Sequence, residues 1–381
     1  MNNNGFNSRC VHSGDMEIEG VGNVVTPIFE NSTFEFPESG VAGKYIYSRW
    51  GNPTVESFEK KYADLEKTEH AFAFSTGMAA ITSSIMPYLK SGDSVLALNE
   101  LYGQTFGFFS KVLPQYKINV DFTSVNDLNR LNFKNKNYKL LYLESITNPL
   151  LEVPDIVNLS RICKEEGIKL MVDATFATPY NQNPVSLGAD MALHSGTKYI
   201  SGHSDLLIGL AGFNDNYDNL DFYRKTFGGT PDAFQAFLAY RGLKTLGLRM
   251  ERHNKNAMEL AKVLNESSRI EEVYYPGLKN SEYFDVAEKN LKGYGGMVSF
   301  KVKGGIENSH KLIKNLNIPK YAVSLGGVES LISIPVEGTH KALSPEERKA
   351  SGITDNLVRL SVGIEDSEDL LQDFENALEK I

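Results

Sequence analysis

Only two of the 381 residues are cysteine, Cys10 and Cys163, and they lie far apart. That excludes a disulfide framework and a cysteine-based zinc pattern, and free thiols in a cytoplasmic protein are the simplest reading. No apolar run approaches the roughly 20 residues a membrane-crossing helix needs. The opening stretch MNNNGFNSRCVHSGD lacks the apolar core of a secretory leader. There is no cluster of basic residues and the net charge is −9, so nucleic acid and anionic membrane are poor candidates as main partners. The histidines, His12, His70, His194, His203, His253, His310 and His340, are scattered and form no metal pattern with cysteine. Internal repeats, low-complexity tracts and long linkers are absent too. What remains is an ordinary soluble composition, 41% apolar and 23% charged, in a chain long enough for two or three domains.

Residues 1 to about 49 are rich in Gly, Asn and Ser with few periodic apolar positions, which reads as a loosely packed arm. Pro53 then opens a helical pattern whose apolar positions are Val55, Phe58, Tyr62 and Leu65. From Ala71, strand-like runs (AFAF, SVLALN, INVDF, KLLYLES, KLMV, ADMAL, LLIGLAGF) alternate with helix candidates (MAAITSSIMPYLK, QTFGFFSKVL, PDIVNLSRICKEEG). Such alternation predicts an α/β fold with a mainly parallel sheet covered on both faces. A single long helical pattern runs from Asp232 to about Leu264 and links two domains. Beyond it, MVSFKVK, ESLISIP and VRLSVGI read as strands and EDLLQDFENALEKI as a closing helix, which predicts a smaller α+β domain.

The stretch from Lys169 to Asp205 holds two apolar runs that each end in a polar group: KLMV ends in Asp173, and ADMAL ends in His194-Ser195-Gly196-Thr197-Lys198. Loops at strand ends are where an open α/β sheet places its ligand. A lysine beside two small hydroxyls and a glycine suits a phosphate-bearing aldehyde: the hydroxyls and backbone hold the phosphate, and the amine forms a Schiff base. An aspartate at a neighbouring strand end could pair with a pyridinium nitrogen. Alone, these residues are ambiguous. Most Thr-Lys pairs are solvated surface, and an Asp closing a strand is often a turn residue.

VDATFATPYNQNPVSLGAD with HSGTKYISGHSD resembles the signature of the Cys/Met-metabolism family of pyridoxal-phosphate enzymes. That family includes cystathionine γ-synthase, cystathionine lyases, methionine γ-lyase and O-acylhomoserine sulfhydrylases. YSRWGNPT, STGMAAI, ESITNPLLEVPDI, RGLKTL, SLGGVESL and VRLSVGIED resemble family blocks in the family's order, from about Tyr45 to the C-terminus. The resemblance implies a fold type I pyridoxal-phosphate (PLP) transferase-like architecture. Its parts would be an N-terminal arm (1–49) serving a neighbouring subunit, a PLP-binding large domain (50–247) and a C-terminal α+β domain (248–381). It also implies a homotetramer built from dimers with shared active sites.

Residue by residue, the resemblance makes Lys198 the Schiff-base lysine and proton shuttle, and Asp173 the partner of the pyridine nitrogen. Ala174 stands where the family usually has Asn. Asn148 would meet the cofactor's phenolic oxygen. Gly77 and Met78, with Ser195 and Thr197, would cradle the phosphate, and STGMAAI begins a predicted helix whose free N–H groups favour an anion. Tyr47 and Arg49 would reach a neighbour's phosphate. Tyr102 would stack on the cofactor ring and could protonate a departing sulfur. Arg359 would clamp the substrate α-carboxylate, and Ser324 would orient that carboxylate or the lysine. His194 and His203 flank the lysine and read as supports of its loop.

Cystathionine-handling members commonly place Glu before Tyr-Ser-Arg, Glu before Ser-Leu-Gly-Gly, and Arg shortly after the stacking tyrosine. Here those places hold Ile46, Val323 and Gly107. An uncompensated buried charge costs several kcal/mol, so this pocket should favour a short uncharged thioether. The pattern resembles methionine γ-lyase, with Gln104 where those enzymes usually have Cys, while SLGGVESLIS is closer to the cystathionine enzymes. The expectation is α,γ-elimination of L-methionine, with homocysteine as a further substrate, giving 2-oxobutanoate, ammonia and methanethiol. The alternatives are cystathionine γ-lyase or γ-synthase chemistry, or O-acylhomoserine sulfhydrylation.

Overall fold

The computed structural model describes residues 4–36, 43–130, 137–215, 218–338, 348 and 352–381. His340 and parts of the N-terminal arm lie outside them. In chain order, the first part contains α1 (Phe6–His12), α2 (Pro53–Glu66), β1 (His70–Phe74), α3 (Gly77–Ile85), β2 (Ser94–Leu98), α4 (Gly103–Gly107), β3 (Asn119–Thr123) and α5 (Val125–Asn129). Then follow β4 (Leu140–Glu144), α6 (Ile156–Glu166), β5 (Lys169–Asp173), α7 (Thr178–Asn181), β6 (Met191–Ser195), β7 (Gly209–Phe213), α8 (Asp218–Phe227), α9 (Ala233–Leu243) and α10 (Leu246–Glu266). The last part contains β8 (Ile270–Tyr274), α11 (Phe284–Asn290), β9 (Met297–Val302), α12 (Ile306–Asn315), β10 (Lys320–Tyr321), β11 (Leu331–Ser333), β12 (Leu357–Ser361) and a closing helix, Ser367–Leu378.

Seven strands form one sheet in the order β1-β7-β6-β5-β4-β2-β3. Only β7 runs antiparallel to its neighbours, and the other pairs are parallel. Strands covered on both faces read as unbroken apolar runs, and every residue of β4 and β7 is buried. A second, smaller sheet has the order β10-β11-β12-β9-β8. It carries its own core, in which Val298, Phe300, Val358 and Leu360 meet Leu260 and Leu264 of α10 and Phe374 of the closing helix.

Local chemistry explains where the elements begin and end. Asn52 caps α2 by accepting the N–H groups of Thr54 and Val55 at 2.9 and 3.4 Å, and Pro53 follows at the position where a missing N–H costs nothing. Its Val55, Phe58, Tyr62 and Leu65 are buried, as their spacing predicts. Asp155 caps α6, and Gly167 ends it with a left-handed φ of 69°.

Two expectations are corrected here. The arm is not wholly loose, because α1 docks on α2 and α10 with Cys10 buried. Lys61, fully buried on α2, donates to the carbonyls of Cys10 and Val11 at 2.9 and 3.2 Å, which satisfies carbonyls that the end of α1 leaves free. The single long helix from Asp232 is two helices, α9 and α10. The carbonyl of Gly242 is taken by the Arg249 guanidinium at 2.8 Å and by the N–H and hydroxyl of Thr245, so the regular ladder is interrupted. Gly242 also lies so close to Ser201 that a Cβ there would fall 2.3 Å from its carbonyl oxygen. Among the described residues, no helix is long and apolar enough to cross a membrane.

Candidate active site

A cavity of about 320 Å³ opens at the carboxyl ends of β4, β5 and β6, where an open α/β sheet leaves room for a ligand. Its lining includes Gly77, Met78, Tyr102, Asn148, Asp173, Ser195, Thr197, Lys198, Val323, Ser324 and Arg359. Eleven positions singled out from the sequence thus meet in one place, drawn from both sheets. Ile46, Tyr47, Arg49 and Gln104 do not line it. Arg49 instead donates to the Lys225 carbonyl at 3.0 Å and lies against the rings of Tyr47 and Trp50. Gln104 is exposed on α4.

Lys198 sits in the turn that follows β6, three residues past Ser195. Its Nζ donates to Ser324 Oγ at 2.7 Å. Burial, with the Arg359 guanidinium nearby, pushes the amine down to about 8. Ser324 itself holds a φ of 89°, a left-handed conformation that is unusual for serine. Arg359 on β12 is buried and bonds Asn148 Oδ1 at 3.1 Å and the Ser324 carbonyl at 3.2 Å. Burial lowers its guanidinium to about 10. Asn148, Ser324, Lys198 and Arg359 therefore form one hydrogen-bonded group across the two sheets.

Asp173 ends β5. Its Oδ1 accepts the Thr175 N–H at 3.0 Å and the Thr175 hydroxyl at 2.5 Å, and its Oδ2 accepts the Tyr142 hydroxyl at 3.4 Å. Burial raises its pKa, and these donors and His194 work in the opposite direction. Thr175 Oγ1 also accepts the Ser195 N–H at 2.8 Å, which ties the two strand ends together. His194 faces away from this edge, fully buried against Glu66 at 3.1 Å, and His203 donates to the Ser201 carbonyl at 2.6 Å. Neither histidine lines the cavity.

The start of α3 lies against Ser195. Thr76 caps the helix by accepting the Ala79 N–H at 3.0 Å, and a Cβ on Gly77 would come within 2.9 Å of the Ser195 Cβ. Glycine is therefore required where the helix end meets the strand end. The first N–H groups of a helix lack intrahelical partners and favour an anion. Gly77 and Met78 line the same cavity as Ser195 and Thr197, and Thr197 Oγ1 accepts the Ile208 N–H at 2.9 Å.

These groups can meet each demand of a phosphorylated pyridine aldehyde. A partly neutral amine could take the aldehyde, a buried carboxylate could hold a protonated ring nitrogen, and a helix start with two hydroxyls could hold the phosphate. Two contributors escaped the sequence reading. Glu144 ends β4 as Asp173 ends β5, and Thr175 fixes Asp173. The first carries the same signal as Asp173, an acid closing an apolar strand.

The profile described as "Cys/Met metabolism PLP-dependent enzyme" matches residues 7–379. A cystathionine gamma-lyase of Dictyostelium discoideum is 42% identical over 384 residues, covering 100% of this chain and 99% of that one. An L-methionine gamma-lyase of Fusobacterium nucleatum subsp. polymorphum is 42% identical over 390 residues, covering 99% and 98%. Among solved structures, metB from Corynebacterium glutamicum superimposes with a TM-score of 0.95 at 38% identity, covering 99% of this chain and 98% of that one.

Proposed function

The chain belongs to the Cys/Met metabolism family of PLP-dependent enzymes, and we propose that its substrate is L-methionine, which it converts with one water to 2-oxobutanoate, ammonia and methanethiol. The broader activity, that of a PLP-dependent carbon–sulfur lyase, follows from the family and its relatives. Bound pyridoxal phosphate supplies an electron sink for the charge left when a proton departs from the substrate Cα.

In this reading, Arg359 binds the substrate α-carboxylate with its planar fork. Lys198 would hold the cofactor at its aldehyde carbon, and its free amine, pushed down to about 8 by burial with Arg359 nearby, would take the Cα proton and move protons at neighbouring carbons. Asp173 would keep the ring nitrogen protonated, Asn148 would meet the phenolic oxygen, and Gly77, Met78, Ser195 and Thr197 would hold the phosphate. Ser324 parks the lysine amine between steps. Tyr102 lies over the cavity with 44% of its surface exposed, open to stack on the ring and to protonate the departing sulfur. Ile46, Tyr47 and Arg49 would act in the cavity of a second copy of the chain.

The observation that carries the choice of methionine is the far wall. Val323 lines the cavity beside Ser324, together with Ile146, Phe176, Leu207 and Leu325. Lys198 and Arg359 are its only cationic lining residues among the described ones, and both have tasks elsewhere. A distal carboxylate would find no cationic partner from this chain there, and because Val323 and Leu207 are each 57% exposed the cost is that of a part-solvated charge, less than for a buried one. Cystathionine is the second reading, favoured by the equal identity to a cystathionine gamma-lyase; an O-acylhomoserine sulfhydrylase would differ by needing added sulfide. The test follows 2-oxobutanoate release from L-methionine and L-cystathionine at equal concentration, without added thiol. Faster release from methionine is expected. A preference for cystathionine would overturn the choice, and silence with both would point to synthase or sulfhydrylase chemistry.

A further inference from the structure

Two carboxyl groups end adjacent parallel strands in register. Glu144 of β4 is paired with Asp173 of β5, so both side chains leave the sheet on the same face, and both line the cavity. Two buried carboxylates side by side do not both stay ionised. Hydrogen bonding decides which one keeps the charge. Asp173 has three donors, the N–H and hydroxyl of Thr175 and the hydroxyl of Tyr142. Among the described residues Glu144 has one, the backbone N–H of Tyr102 on its Oε1 at 2.6 Å. A single acceptor oxygen suffices for that bond, and the other oxygen is free to carry a proton.

The bond to Tyr102 matters because of where that residue sits. Tyr102 immediately precedes α4, and 44% of its surface is exposed. Glu144 is 6% exposed and reaches the Tyr102 N–H from a central strand, while the Tyr102 carbonyl accepts the Phe106 N–H at 2.9 Å, so Glu144 fixes the side of this backbone that enters from the sheet.

We propose that Glu144 is a positioning residue for the reaction: uncharged, it anchors the backbone of Tyr102 over the cavity and leaves Asp173 as the cavity's anionic carboxylate. This rests on the site reading given above. The titratable groups that face Glu144 are Asp173 on β5, Glu100 after β2 and Tyr142 on its own strand, with Tyr102, Lys198 and Arg359 lining the same cavity. Burial raises its pKa well above the usual carboxylate range, and Asp173 and Glu100 act in the same direction; Glu100 is itself pushed up to about 8 by burial.

The test compares holoenzyme of the wild type with E144Q, E144A and K198A, by the pH titration of cofactor absorbance and by visible circular dichroism of the bound cofactor. E144Q keeps the acceptor oxygen and removes only the possibility of charge. Its absorbance midpoint should stay within about 0.3 pH unit of the wild type, because no charge is lost. E144A loses the anchor, so its visible dichroism should fall by half or more, and kcat/KM should drop roughly tenfold or more as Tyr102 loses its placement. A midpoint shift of about a unit or more in E144Q would mean that Glu144 carries charge and would overturn the proposal. Unchanged dichroism in E144A would overturn the anchoring role. If E144A does not fold, E144Q still decides the charge. K198A is expected to lose the Schiff-base absorbance; retention of that band would overturn the site reading together with this proposal, whereas a failure confined to the Glu144 variants would overturn this proposal alone.

Discussion

The amine of Lys198 lies within the field of Arg359, and that field has a direction. Burial and the guanidinium both disfavour the ammonium, so the neutral amine gains as pH rises through about 8. Capture of added pyridoxal phosphate by the apoprotein should therefore rise roughly tenfold between pH 7 and pH 9 and then level off, as followed by absorbance in a stopped-flow mixer. Removing the cation with R359M should move the midpoint upward, since the ammonium is then less disfavoured; a midpoint left near 8 would mean that burial acts alone. Val323 permits a second experiment at this scale. It lines the cavity yet is 57% exposed, so a carboxylate placed there keeps much of its water. V323E should raise the ratio of kcat/KM for cystathionine over methionine about tenfold or more, the equivalent of about 1.4 kcal/mol. An unchanged ratio would show that the distal end of the substrate lies elsewhere.

Elements differ in how plainly their sequences announce them. The strands of the large sheet are legible because burial on both faces leaves nearly unbroken apolar runs such as KLLYLE and GLAGF. At their ends the same logic makes Asp173 and Lys198 visible, and it extends to Glu144, where an acid closing an apolar strand has no turn to serve. β8 is hard to read because its pattern is one buried residue followed by two exposed ones, with a register shift between Ile270 and Glu272. The break between α9 and α10 is invisible for another reason: it depends on the Arg249 side chain returning to the Gly242 carbonyl, a tertiary contact. α1 is similar, a seven-residue helix too short to stand alone. Its support is Lys61. K61M should leave the carbonyls of Cys10 and Val11 without their donor, a loss of about 1–3 kcal/mol. Amide hydrogen exchange over residues 6–12 should then quicken while that of β4–β6 stays as in the wild type. Equal protection in both proteins would show that α1 is held by its packing alone.

For the molecule as a whole, the arm is the part that tests whether sites are shared between chains. Val24, Tyr47 and Trp50 are exposed, and among the described residues Arg49 reaches the Lys225 carbonyl and its own aromatic neighbours. If the arm completes a second copy's cavity, two inactive variants, R49A and K198A, should regain activity when unfolded and refolded together. About a quarter of the wild-type rate is expected for a symmetric pair of shared sites, and no recovery would argue for self-contained sites. The large sheet sets a further constraint, in time. β1 pairs with β7 alone, residues 70–74 against 209–213, so on the ribosome the apolar strand HAFAF must wait for a partner made about 140 residues later, on the order of ten seconds at ordinary elongation rates. Throughout that interval the nascent chain presents an unsatisfied strand edge, and the cell's chaperones, not the native fold, have to keep it from finding the wrong neighbour.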